Sequence, residues 1–126
     1  MKFEEDGGHG WRDRVGKYAE DHWYMSVFDP TVFFDYEWSK SFQKSDHQIR
    51  EYYFEAIKKS RLVLINLNNS DRSVGTGMEA TYASCKGKTI IGFGTENVYN
   101  WVKDLCTVVF DDLETALEYI TCYYTF

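Results

Sequence analysis

One carboxylate, two hydroxyls and two glycines fall within the short stretch Ser73-Val74-Gly75-Thr76-Gly77-Met78-Glu79. Gly75 and Gly77 carry no side chain, so backbone N–H groups there can approach a ligand, and Ser73 and Thr76 offer hydroxyls to a sugar hydroxyl or a phosphate oxygen. Glu79 supplies a nucleophile or general base, and the positive end of a helix dipole would favour its anionic form. The same spacing has a purely structural meaning. Thr76-x-x-Glu79 is a capping box, in which Thr76 accepts from the N–H of Glu79 and Glu79 reaches back to the N–H of Thr76, contributing ~1 kcal/mol and no chemistry.

The flanking elements decide where such a turn would sit. The unbroken apolar run Leu62-Val63-Leu64-Ile65 suits a parallel strand buried on both faces, and the polar turn Asn66 to Arg72 follows it. A helix from about Gly77 to Cys85 then places the turn at the carboxyl edge of a strand, where open α/β sheets bind ligands. Further along come a strand Thr89 to Phe93, a segment Asn97 to Leu105, a strand Thr107 to Phe110 and a helix with Leu113, Ala116, Leu117 and Ile120 on one face.

Upstream, Trp11, Val15, Tyr18 and Ala19 share a helical face. Trp23 to Phe28 reads as a strand ending at Asp29-Pro30, and Thr31 to Lys44 as an aromatic-rich loop. Ser45-Asp46-His47-Gln48 fits a capping box ahead of Ile49, Tyr52, Tyr53, Ala56 and Ile57, a well-marked amphipathic stripe. Alternating strands and helices predict a three-layer α/β domain, Rossmann-like or flavodoxin-like, with a mostly parallel sheet of about four to five strands. Met1 to Asp6 is short and acidic where such a fold wants an apolar first strand.

The chain of 126 residues is read as a single domain, residues 1–126, and its 44% hydrophobic content argues against disorder. A net charge of −6 works against a nucleic-acid polymer as partner but leaves a small phosphate-bearing ligand open. Cys85, Cys106 and Cys122 lack C-x-x-C spacing and read as reduced, buried thiols, which points to the cytoplasm, with no metal site and no cofactor expected. Neither a signal peptide nor a membrane span is expected.

In order along the chain, Gly7-Gly8-His9-Gly10-Trp11-Arg12, Phe28-Asp29-Pro30-Thr31, Ser60-Arg61-Leu62-Val63-Leu64-Ile65-Asn66-Leu67, Ser73 to Glu79, and Lys86-Gly87-Lys88-Thr89-Ile90-Ile91-Gly92-Phe93 form a set. The set resembles the nucleoside 2-deoxyribosyltransferase-like family, which includes deoxynucleoside 5′-monophosphate N-glycosidases. That resemblance implies Glu79 as the nucleophile attacking the anomeric carbon, through a covalent glycosyl-enzyme of the kind retaining glycosidases form. It implies Ser73, Gly75, Thr76, Asn66 and Tyr53, with Gly8 and Arg12 from the first loop and helix, around a nucleoside or nucleotide. A serine at the position of Ser73 tilts the implied ligand toward a 5′-monophosphate.

Three positions depart from the family pattern. Tyr53 stands where an aspartate is common, Ser60-Arg61 where Ser-Asp is common, and Met1 to Asp6 where the first strand belongs. The alternative they motivate is a non-catalytic nucleotide-binding protein on the same fold. Each candidate also has a plain role: Tyr53 core packing, Asn66 a turn closed on its own backbone, Arg12 an exposed helix charge. The aromatic loop and the tail Tyr119 to Phe126 point to a homo-oligomer, as does the resemblance.

Overall fold

The computed structural model describes residues 9–23 and 46–124. Helix α1 (His9–His22) is followed by α2 (Asp46–Lys59), strand β1 (Leu62–Asn66), a 3-10 turn (Ser70–Arg72), α3 (Val74–Cys85), β2 (Thr89–Phe93), α4 (Asn100–Asp104), β3 (Val108–Phe110) and α5 (Leu113–Tyr124). The strands form one parallel sheet in the order β1-β2-β3, with Leu62 opposite Thr89 and Ile91 opposite Val108. The fold is α/β, as the alternation of elements predicts. Among the described residues the sheet has three strands, not four to five.

Parallel strands need crossover helices, and those helices bury both faces of the sheet. Alternate residues along each strand accordingly feed two separate cores. Ile65 and Ile90, with Val63 and Val109, pack under Ile57 of α2, Ala80 and Ala83 of α3 and Val102 of α4. Ile91 and Phe93, with Leu62, Leu64, Val108 and Phe110, pack against Trp11 of α1 and against Ala116 and Ile120 of α5. Helices α2, α3 and α4 thus lie on one side and α1 and α5 on the other, the three layers expected.

Several boundaries move. Helix α1 is longer than its apolar stripe, and Trp23 does not open a strand. Its N–H closes on the carbonyl of Ala19 at 2.8 Å, and its indole N–H donates to Thr121 Oγ1 at 2.8 Å, which ties the end of α1 to α5. Arg14 and Glu114 add a two-pronged ion pair between the same helices, at 2.7 and 2.8 Å. The rest of the expected strand to Phe28, the aromatic loop Thr31 to Lys44, the Ser45 cap, Met1 to Asp6, Gly8 and the last two residues lie outside the described residues.

On α2 the stripe is only partly right. Ile57 is buried, but Tyr52 is exposed, and Phe54, off the expected stripe, stacks flat on Tyr82 of α3 with ring centroids 4.4 Å apart. The cysteines also depart from expectation. All three are free, but Cys85 and Cys122 are exposed, at the end of α3 and on the outer side of α5. Cys106 alone is enclosed, and burial pushes its thiol up to about 11, so it is no nucleophile at neutral pH. No helix of the described residues is long and apolar enough to cross a membrane.

Candidate functional site

The end of β1, with the loop and helix start that follow it, carries Asn66, Ser73, Gly75, Thr76 and Glu79, while Arg12 lies on α1, Tyr53 on α2 and Gly8 outside the described residues. After β1 the chain must turn sharply, and Asn66 begins the turn by accepting the N–H of Asn68 on its side-chain oxygen at 3.0 Å. Asn68 then reaches across to the loop after β2, its Oδ1 accepting from the N–H groups of Thr95 and Glu96. Gly94, at φ 125°, makes this crossing possible, since a Cβ there would stand 2.7 Å from the Asn68 side chain. Asn69 and Asn97, both left-handed, share a side-chain hydrogen bond, and Ser70 Oγ accepts from the N–H of Tyr99 at 2.8 Å. The two loops form one laced rim, and Asn66 takes the turn-closing role.

Helix α3 begins at Val74, three residues earlier than its apolar pattern indicates. Ser73 is the N-cap: its Oγ accepts from the N–H of Thr76 at 3.2 Å and shares a hydrogen bond with Thr76 Oγ1 at 2.8 Å. Its carbonyl accepts from the N–H of Gly77. The first-turn N–H groups of Val74 and Gly75 are the ones this cap leaves open, and a Cβ at Gly75 would meet nothing within 4 Å. Ser73 and Thr76 therefore spend their hydroxyls on each other, with Thr76 buried.

This cap settles the competition at Glu79. The Thr76–Glu79 capping box does not form, because Ser73 already holds the Thr76 N–H. Glu79 lies in the second turn of α3, past the strongest part of the dipole, and its carboxylate accepts no hydrogen bond from a described residue. It is half-buried, and burial raises its pKa above the ordinary glutamate value, while the nearby positive charge of Arg12 pulls the other way. The dipole-favoured anion expected from the sequence is thus replaced by a carboxyl whose ionised form depends on Arg12.

Arg12 is not the exposed helix charge that its sequence context allows. It stands in the first turn of α1 with 9% of its surface exposed and its guanidinium 4.5 Å from the Trp11 ring centroid. Trp11 meets Phe93, the last residue of β2, edge-on at 5.3 Å, which fixes this corner of α1 over the carboxyl end of the sheet. The indole Nε1 of Trp11 is buried and donates to none of the described residues, a state that costs about 1–3 kcal/mol. Sequence periodicity marks Trp11 only as a core residue. Its unsatisfied donor has no signature in the sequence.

The structure therefore brings Glu79 and Arg12 into electrostatic reach, with Trp11 beside Arg12. Tyr53 is half-buried on α2, the helix that packs on the Tyr82 side of α3. Arg61 is exposed and donates to the carbonyl of Tyr124 at 3.0 Å, at the other end of the sheet. Among the described residues no three His, Cys, Asp or Glu side chains gather to hold a metal ion. No protein-family model matches the chain, and no curated protein matches it.

Proposed function

We propose that the chain cleaves or transfers the N-glycosyl bond of a nucleoside or, by preference, a nucleoside 5′-monophosphate, as a nucleoside 2-deoxyribosyltransferase-like enzyme of the cytoplasm that works as a homo-oligomer. The observation that supports this most is Glu79 released from helix capping, half-buried and facing the charge of a buried arginine. In the proposed reaction a Glu79 oxygen bonds to C1′ of the sugar as the C1′–N bond breaks, and the departing base keeps the electron pair and takes up a proton from water, which is returned to solvent when the second nucleophile attacks. Water or a second base then attacks C1′, frees the carboxylate and completes hydrolysis or exchange.

Arg12 fits the charged end of the substrate, since a guanidinium binds a phosphate through paired N–H donors. The open N–H groups of Val74 and Gly75 add donors at a helix start, and the Trp11 N–H, without a partner among the described residues, is another. The second reading, a non-catalytic nucleotide binder, draws on the same residues. Burial raises the Glu79 pKa, Tyr53 replaces an acid, and the Ser73 and Thr76 hydroxyls are already bonded to each other. One experiment separates the two: pooled nucleosides and 5′-monophosphates are incubated with the protein and free nucleobase is measured by liquid chromatography. The wild type releases base, and Glu79→Ala abolishes release while nucleotide affinity stays within a few-fold. A wild type that binds nucleotides but releases no base across the panel and across pH is the binder.

A further inference from the structure

Trp11 and Arg12 are neighbours in sequence on α1, and adjacent side chains leave a helix about 100° apart, so they do not face each other by helical geometry alone. Here they meet. The guanidinium lies over the indole, 4.5 Å from the ring centroid, and Arg12 is buried there. The indole is held in turn by Phe93, which it meets edge-on and which is itself buried at the end of β2. The contacts therefore run from the sheet through Phe93 and Trp11 to the guanidinium, and the orientation of Arg12 is set by the sheet as much as by its own helix.

Helix stability does not explain this placement. A cation in the first turn opposes the dipole, burial strips water from the guanidinium, and folding the side chain across its neighbour uses up rotamer freedom. The ring face of Trp11 works against these costs, since indole is the aromatic surface that attracts a cation best, and so does the charge of Glu79 when ionised. Core packing alone would need only the edge contact with Phe93. What the stacked arrangement adds is a guanidinium whose plane is fixed before any ligand arrives. Arginine matches a phosphate through paired N–H donors, and a side chain already ordered loses less on binding than one that must be ordered then. That advantage falls on the charged ligand alone, because a nucleoside without its 5′-phosphate makes no use of the guanidinium plane.

We propose that Trp11 is a positioning residue: anchored on Phe93, its ring fixes the Arg12 guanidinium and through it sets the preference for a nucleoside 5′-monophosphate over the corresponding nucleoside. This rests on the reading of Arg12 as the partner of the phosphate. The test is calorimetric affinity of the full chain and its variants for the 2′-deoxynucleosides and their 5′-monophosphates, taken as a ratio, which needs no turnover and is unmoved by a fraction of unfolded protein. The wild type binds the monophosphate at least about tenfold more tightly. Trp11→Leu lowers the ratio at least about fivefold while nucleoside affinity changes little, and Trp11→Phe, which keeps a ring and loses the N–H, recovers most of it. Arg12→Gln loses the preference, and adding Trp11→Leu to it lowers the ratio no further. Equal weakening of both ligands by Trp11→Leu makes Trp11 a packing residue and overturns the proposal. So does a Trp11→Phe variant as impaired as Trp11→Leu, which assigns the effect to the N–H, or a further fall in the Arg12→Gln background. A preference lost in Arg12→Gln but intact in Trp11→Leu contradicts only the role of Trp11, whereas a wild type with no preference contradicts the phosphate reading and this inference with it.

Discussion

At Glu79 two influences oppose each other, and burial outweighs the charge of Arg12. The group must lose its proton to act as a nucleophile, so the acid limb of kcat/KM is expected at a pH above the ordinary glutamate value. Stability moves the opposite way. A folded state that holds its proton more tightly than the unfolded chain gains from Glu79 at low pH and loses that gain as the pH rises through the raised pKa. The melting temperature of the wild type relative to Glu79→Gln is therefore expected to fall from about pH 4 toward neutrality. A difference that stays constant or grows over that window would show that burial does not control this carboxyl. The sequence singles out Glu79 but not its electrostatic setting, because Arg12 lies far away along the chain and only the docking of α1 brings it near.

Among the elements, the start of α3 shows what a sequence pattern conceals. The sequence offers Thr76-x-x-Glu79 as a capping box, whereas in the fold Ser73 is the N-cap and the helix is already under way at Thr76. The outcome depends on where the preceding loop releases the chain, which is set by the Asn68, Asn69 and Ser70 contacts to the loop after β2. Glycines give a direct test of that packing. At Gly92 a Cβ would stand 2.8 Å from Leu67 Cδ1 and 2.9 Å from Cys106 Sγ, and Leu67 is fully buried. Gly92→Ala is expected to lower stability by about 1–3 kcal/mol in urea unfolding, as overpacking does. Gly75, inside a helix with open space beside it, should behave in the opposite sense, with Gly75→Ala raising stability by about 0.4–1 kcal/mol. Equal responses at the two positions would contradict the packing described for β2.

For the molecule as a whole, the alternation of apolar runs with helical stripes was sufficient to identify a parallel α/β sandwich, because strands buried on both faces are continuous in hydrophobicity. Leu62 to Ile65 and Thr89 to Phe93 carry that signal without ambiguity. Residues such as Trp23 do not, since an aromatic that ends a helix by bonding Thr121 has the same composition as one that begins a strand. Tyr52 and Phe54 exchange burial for a related reason: a stacking partner on α3, not helical period, decides which ring is covered. The sheet edge that gathers Arg12, Trp11 and Glu79 is thus a property of the assembled layers, and the proposed chemistry requires Glu79 to act there as a nucleophile. The most direct measurement is mass spectrometry of peptides from protein quenched with acid during turnover of nucleosides and 5′-monophosphates. A glycosyl adduct is expected on the peptide that carries Glu79 and is expected to be absent in Glu79→Gln. Free base released with no adduct on Glu79, or with undiminished rate in Glu79→Gln, would contradict it.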